Sequence, residues 1–320
     1  MKERVAFLDA VHPVLQERLE QAEWRCDQWE HLTREKILEG ALSSYSGVVV
    51  RARIQLDEDL MVSMPALKFI ARSGAGLENI DLIGAKNRGI RVFNSPEGNA
   101  DAVGEHALGQ LLMLFHKLRL ADQSVRDHLW ERESHRGMEV SGKTVAIIGF
   151  GHMGRSFARK LLGLNCNVVA YDKYVRGFCG DENVLEWTME QVWDQADVVS
   201  LHLPFTEETN QLVQRTWLER FKRPITLINT ARGGLVNTSE LLDALDSKHV
   251  RGAALDVLEF ERNSLEGLSN RSAKLDRLLA HQQVVLSPHV AGWSVESYFK
   301  LSEVLADKIL AWHASSASQD

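Results

Sequence analysis

Val145-Ala-Ile-Ile-Gly-Phe-Gly-His-Met-Gly154 decides how the chain is read. Four apolar residues, Val145 to Ile148, run directly into Gly149, Gly151 and Gly154. An unbroken apolar run of this kind predicts a strand buried on both faces, as in a parallel sheet. Arg155-Ser-Phe-Ala-Arg-Lys-Leu-Leu162 follows with helical spacing of its apolar residues. Gly-x-Gly-x-x-Gly therefore falls at a strand-to-helix turn, the setting that a dinucleotide fingerprint requires. Gly149 is expected to make the tight turn, Gly151 to let a pyrophosphate reach the backbone, and Gly154 to let helix and strand pack closely. The helix start would face the phosphates with unpaired N–H groups and the positive end of its dipole. A second apolar run, Asn167-Val-Val-Ala-Tyr-Asp172, ends in a carboxylate 18 residues after Gly154 (172 − 154). Asp172 is placed to accept from an adenosine ribose diol and to repel a 2′-phosphate, so NAD(H) is favoured over NADP(H).

The composition bounds the alternatives. The chain has 320 residues, 44% of them apolar and 25% charged, enough for two domains with cores of their own. A net charge of −7 argues against nucleic acid or an acidic membrane surface as partner. There is no uninterrupted apolar window long enough to span a bilayer, and Met1 to Asp9 reads as a first strand rather than a secretory signal. Cys26, Cys166 and Cys179 are odd in number and lack metal-ligand spacing, which fits a cytoplasmic protein without a metal site.

Strands and helices alternate along the chain. In the first third, Val5–Leu8, Val48–Val50, Leu67–Ala71 and Ile90–Phe93 read as strands, several ending in polar or glycine-rich loops: Arg51-Ala-Arg53, Arg72-Ser-Gly-Ala-Gly76, Asn94-Ser-Pro96. Residues 101–120 form the longest helical pattern, apolar around much of its circumference, with His106 and His116 read as scaffold. Residues 121–140 read as a charged helix and surface arm, a plausible dimer contact. Further strands are expected at 197–203, 225–232, 253–258 and 284–289, with a last amphipathic helix over 293–313 packing back on the first third. The rhythm predicts an α/β fold of two Rossmann-like, doubly wound parallel-sheet domains with a cleft between them. The expected boundaries are 1–98 plus 293–320 for the substrate-binding domain and 99–292 for the NAD-binding domain.

Three polar side chains fall at strand ends of the nucleotide half: Arg232, Glu261 and His289. Hydride exchange between a nicotinamide and a 2-oxo acid needs such a set. An arginine grips the carboxylate with two parallel N–H groups and keeps its charge. A histidine titrates in the range needed to give and take the proton of the C2 oxygen. A carboxylate beside it orients the ring.

The motifs together resemble the D-isomer-specific 2-hydroxyacid dehydrogenases over nearly the whole chain: Gly-Phe-Gly-His-Met-Gly (149–154), Ser-Leu-His-Leu-Pro (200–204), Asn-Thr-Ala-Arg-Gly-Gly (229–234), Gly-Ala-Ala-Leu-Asp-Val (252–257) and Ser-Pro-His-Val-Ala-Gly (287–292). The resemblance implies an NAD-dependent oxidoreductase, a homodimer through the nucleotide domain, and Arg232, Glu261 and His289 as the catalytic set. Glu259 stays a lesser candidate for the carboxylate, because Arg262 stands where the family has a proline after its glutamate. It also implies cofactor contacts from His152 and Met153 on the pyrophosphate loop, Thr230 and Ala231 beside the nicotinamide ribose, Asp256 at the carboxamide, and Ala291 and Gly292 near the ring. Backbone N–H groups of Gly74, Ala75 and Gly76 would hold the substrate carboxylate.

Arg51-Ala-Arg53 resembles the segment that brings arginine to the substrate phosphate in the phosphoglycerate dehydrogenases of this family. Residues 72–81 and Pro-Glu-Gly-Asn (96–99) are similar to the same branch. The implied reaction is 3-phosphoglycerate to 3-phosphohydroxypyruvate, the first step of serine biosynthesis. Ending at residue 320, the chain is expected to lack the regulatory domain of many such enzymes. The alternatives are a glyoxylate/hydroxypyruvate reductase, another D-2-hydroxyacid dehydrogenase, or, from a different class, an NAD-sensing corepressor.

Overall fold

The computed structural model describes residues 3–178, 184–261 and 272–317. Cys179 and Arg262 lie outside them. The chain divides into two compact units, one of Met1–Asn99 with Trp293–Asp320, the other of Ala100–Arg262 with Glu266–Gly292.

The first unit is built on a parallel sheet of five strands in the order β2-β1-β3-β4-β5. These are β1 (Arg4–Phe7), β2 (Arg25–Gln28), β3 (Gly47–Val50), β4 (Phe69–Arg72) and β5 (Arg91–Asn94). β3 is buried at every residue, as a central parallel strand must be when both faces are covered. One face packs Ala6, Leu8, Val48, Val50 and Ile70 against short helices, among them α3 (Glu58–Val62) and α4 (Leu82–Asn87). Asp57 and Asp81 start those helices by accepting from the N–H groups of Leu60 and of Ile83 and Gly84. The other face packs Val5, Phe7, Val49, Phe69 and Phe93 under α1 (Val14–Gln21) and the last helix, α12 (Val295–Ala317). Trp312 of α12 lies edge-on to Phe69 and Phe93, at 5.8 and 5.7 Å between ring centroids. Lys308 Nζ ties the helix to the end of β5 through the Asn94 carbonyl, at 2.9 Å. β2 is a strand that sequence periodicity does not announce: Arg25-Cys-Asp-Gln28 is polar because it is an edge strand, with its two end residues exposed.

The second unit has a seven-stranded parallel sheet, ordered β12-β11-β10-β9-β6-β7-β8. Its strands are β6 (Thr144–Ile148), β7 (Asn167–Tyr171), β8 (Leu185–Glu186), β9 (Val198–Leu201), β10 (Ile225–Asn229), β11 (Val250–Leu255) and β12 (Val284–Leu286). The chain reverses direction across the sheet between β6 and β9, and open α/β sheets bind ligands outside that reversal. The long helical pattern at 101–120 is two helices. α5 runs Pro96–Phe115, and Lys117, in the left-handed region at φ 52, starts α6 (Leu118–Arg126) on a new axis.

Candidate active site

The turn from β6 into α7 (His152–Leu161) is shaped for a dinucleotide. Gly149 adopts φ +95, and a Cβ there would stand 2.5 Å from the His202 carbonyl oxygen. A Cβ on Gly154 would overlap the Gly149 carbonyl, so helix and strand come this close because residue 154 is glycine. At Gly151 a Cβ would meet nothing within 4 Å, and no side chain caps the helix. A ligand can therefore approach the backbone closely at Gly151, at the reversal point, where His152 and Met153 open the helix. Such a helix start suits a pyrophosphate. At the end of β10, Thr230 Oγ1 is buried without a hydrogen-bond partner among the described residues, a polar atom of the kind that a bound cofactor satisfies.

Asp172, just beyond β7, does more than the sequence suggests. Its Oδ2 accepts from the Phe150 N–H at 2.7 Å, and its Oδ1 from those of Tyr174 and Val175, both at 2.9 Å. Burial pushes the carboxyl pKa up, but these backbone donors and nearby Arg176 outweigh it and hold the group below the usual carboxylate range. Asp172 is thus charged, and it also braces the fingerprint loop.

Three adjacent strands deliver the chemical groups. Arg232 follows β10, Glu261 follows β11 and His289 follows β12. Neighbouring strands lie about 4.8 Å apart, so the three residues leave adjacent strands at the same edge of the sheet. His289 Nδ1 lies 2.6 Å from Glu261 Oε2, and Glu261 Oε1 accepts from the Leu258 N–H at 2.5 Å. Both side chains are largely covered, at 23% and 17% exposure. With Nδ1 engaged by Glu261, Nε2 is the ring nitrogen that remains to meet a ligand. Glu259 is committed elsewhere: its Oε1 pairs with Lys274 Nζ at 3.1 Å and accepts from the Thr238 N–H. Arg232 is extended at φ −144, its carbonyl held by Asn229 Nδ2 at 2.9 Å, and its Nη1 donates to the Ala231 carbonyl at 2.6 Å. Ala231 is pinned by the Asn229 side chain at 3.0 Å.

Asp256, at the end of β11, is 1% exposed. Its carboxylate accepts from Ser287 Oγ at 2.5 Å and from the N–H groups of Val290 and Ala291 at 2.9 and 2.8 Å. Its carbonyl accepts from the His289 N–H at 2.8 Å. His289 sits at φ 56, in the left-handed region that residues other than glycine seldom adopt. These bonds hold it there. Ser287 is held in turn by His106 Nε2 at 2.8 Å and Gln110 Nε2 at 2.9 Å on α5. Sequence reading assigns His106 to scaffold and gives Gln110 no role. The available signal was Ser287, a hydroxyl two residues before His289 in the Ser-Pro-His motif.

At the carboxyl edge of the first unit's sheet, the two arginines after β3 differ. Arg53 Nε pairs with Asp9 Oδ1 at 3.1 Å, Nη1 donates to the Leu32 carbonyl at 3.0 Å, and Nη2 donates to the Leu8 carbonyl. Three of its five N–H donors hold the β1 and β3 loops together, which gives Arg53 a fold role whatever else it meets. Arg51 is fixed through its main chain, whose N–H donates to Asp9 Oδ2 at 2.5 Å. After β4, Gly74 adopts φ +145, with the Arg72 guanidinium filling the space that a Cβ would take. The Gly74 N–H already donates to Ser95 Oγ at 3.3 Å. Among the described residues the N–H groups of Ala75 and Gly76 have no such acceptor.

Two all-parallel α/β units, one with a dinucleotide turn and an Arg/Glu/His strand-end set, define a nucleotide-dependent oxidoreductase architecture. Comparison with known proteins gives the family. Residues 108–291 match the model of the D-isomer specific 2-hydroxyacid dehydrogenase NAD binding domain. The chain is 34% identical over 277 residues to a D-3-phosphoglycerate dehydrogenase of Mycobacterium tuberculosis, covering 86% of this chain and 50% of that protein. It is 31% identical to a hydroxypyruvate reductase of Thermotoga maritima, covering 88% of each. A D-lactate dehydrogenase from Aquifex aeolicus, solved with NAD and lactic acid, superposes with a TM-score of 0.82 at 25% identity over 99% of this chain and 97% of that one. The chain belongs to the D-isomer specific 2-hydroxyacid dehydrogenase family. It spans about half the length of the phosphoglycerate dehydrogenases it matches. Among the described residues no helix is long and apolar enough to cross a membrane.

Proposed function

We propose that the protein is an NAD-dependent D-2-hydroxyacid dehydrogenase acting on 3-phosphoglycerate and 3-phosphohydroxypyruvate. The observation that carries the reaction class is the 2.6 Å contact between His289 and Glu261, in the same unit as Arg232 and the dinucleotide turn. When bound, NAD(H) supplies or accepts the hydride at C2 of the acid. Arg232 grips the C1 carboxylate and polarises the oxo group; its guanidinium matches a carboxylate edge to edge. His289 Nε2 gives the proton to the C2 oxygen in reduction and takes it back in oxidation. Glu261 orients the ring through its bond to Nδ1. Asp172 accepts from the ribose diol, the α7 N-terminus faces the pyrophosphate, and Asp256 holds the loop that carries Ala291 and Gly292. In the first unit, the N–H groups of Ala75 and Gly76 receive the substrate carboxylate and Arg51 the distal phosphate.

The phosphorylated substrate draws support from Arg51 and from the phosphoglycerate dehydrogenase relatives, at 34% identity. Hydroxypyruvate is the second reading, favoured by the Thermotoga maritima relative, which matches over 88% of each chain. NADH oxidation followed with 3-phosphohydroxypyruvate, hydroxypyruvate, glyoxylate and pyruvate separates the two. Selective use of the phosphorylated acid supports the first; hydroxypyruvate preferred over it would remove the serine-pathway assignment. Binding of NADH with no turnover of any oxo acid would favour a corepressor. The working assembly we take to be a homodimer through the second unit, where Leu118, Val125, Leu129 and Trp130 on α6 and beyond are 50 to 80% exposed. Light scattering at assay concentration tests it.

A further inference from the structure

The first unit's sheet reverses its strand order between β1 and β3. Ligands of open parallel sheets bind outside such a reversal. His12 lies on the loop after β1, Arg51 follows β3, and Trp293, Tyr298 and Phe299 lead into and begin α12. The Arg51 guanidinium carbon stands 4.3 Å from the Trp293 ring centroid. Trp293 packs edge-on to Tyr298 at 5.6 Å, and His12 packs edge-on to Tyr298 at 5.4 Å and to Phe299 at 5.1 Å. This aromatic group is not sealed: Trp293 is 48% and Phe299 37% exposed.

Arg51 has an unusual balance of partners. Among the described residues no carboxylate or carbonyl meets its guanidinium; the one acceptor nearby, Asp9, takes the Arg51 backbone N–H and pairs with Arg53. The flat face of the cation is covered by indole while its N–H rim is unspent. A stacked guanidinium keeps its in-plane donors and loses rotational freedom, which is the state that suits two-pronged binding of an oxyanion. Asp9 does not oppose an incoming anion, because Arg53 neutralises it.

We propose that Trp293 is a specificity-determining positioning residue. It holds Arg51 as a pre-oriented receptor for a second anionic group on the hydroxy acid, remote from the C1 carboxylate. This rests on the dehydrogenase reading above and deepens it. The substrate class becomes 2-hydroxy acids with two anionic ends, phosphate or carboxylate. Trp293 follows His289 by four residues (293 − 289), so the acid/base and the brace share one short segment.

The test compares wild type, Trp293→Ala, Trp293→Phe and Arg51→Gln as full-length protein. Steady-state kinetics are taken with 3-phosphohydroxypyruvate, oxaloacetate and hydroxypyruvate, and melting by circular dichroism serves as the folding control. Trp293→Ala is expected to lower the kcat/KM ratio of 3-phosphohydroxypyruvate over hydroxypyruvate about tenfold, through KM rather than kcat. Trp293→Phe should recover most of the ratio, and Arg51→Gln should lose more than Trp293→Ala. The oxaloacetate arm tells whether the receptor takes a carboxylate as well as a phosphate. If Arg51→Gln changes the ratio and Trp293→Ala does not, the positioning role is overturned and the phosphate contact stands. If neither changes it, the substrate assigned above fails too. A wild type that reduces none of the three acids overturns the dehydrogenase reading and this inference with it.

Discussion

Glu261 stands between the main chain and His289. One of its oxygens accepts from the Leu258 N–H at 2.5 Å, and the other meets His289 Nδ1 at 2.6 Å. The carboxylate is fixed before it fixes the ring, and this order of support sets what its removal should do.

Glu261→Gln keeps the shape and the acceptor for Leu258 but loses the charge. The kcat for 2-oxo acid reduction should fall by roughly 10- to 100-fold, and His289→Ala should fall further, by about 10²- to 10⁴-fold. NADH affinity, read by fluorescence titration, should hardly move in either. Unchanged turnover in His289→Ala would refute its part in proton transfer.

Arg232→Lys preserves a positive charge and removes the planar fork. Because a two-pronged, charge-assisted bond to the substrate carboxylate is at stake, kcat/KM should drop roughly 100-fold, with most of the loss in KM. A lysine variant as active as wild type would mean the carboxylate is not held by two parallel bonds.

Asp172→Ala should admit NADP(H). The same change strips an acceptor from the N–H groups of Phe150, Tyr174 and Val175, so a stability loss of about 1–3 kcal/mol should accompany it. The two effects are separable by measuring cofactor preference and the urea midpoint on one preparation. A preference for NAD(H) equal to wild type would contradict the ribose contact.

His202 gives a pH dependence with a definite sign. Its Nε2 lies 2.9 Å from Ser200 Oγ, and burial depresses its pKa from 6.5 to about 4. Between those values the unfolded chain binds the proton and the folded chain does not, so stability falls as pH drops through this window. At 1.36 kcal/mol per unit the loss is on the order of 3 kcal/mol by the bottom of the window. Urea midpoints near neutrality and in mild acid should differ less in His202→Asn than in wild type.

How far the sequence could be read followed from where its signals are local. Val145–Ile148 and Val48–Val50 are apolar without a break, and both are central strands. Arg25–Gln28 and Leu185–Glu186 carry no such run because they are edge strands, where one row of backbone groups and some side chains face water. The split of the 101–120 pattern turns on Lys117 alone, a residue type without preference for φ 52. In the site, strand-end residues could be named from spacing, but their pairings could not. Asp9 pairs with the Arg53 side chain across 44 residues of chain, and His106 reaches Ser287 across 181. Contacts at that separation leave no local pattern.

The bonds that Asp256 collects have a consequence for heat resistance. The turn bearing His289 is lashed to a strand in the interior of the seven-stranded sheet, so the entropy of ordering it is lost once, when the chain folds, and not again at each encounter with substrate. Inactivation on warming should therefore track melting of the second unit rather than precede it, and a Ser287→Ala protein, with one lashing cut, should lose activity several degrees before its ellipticity.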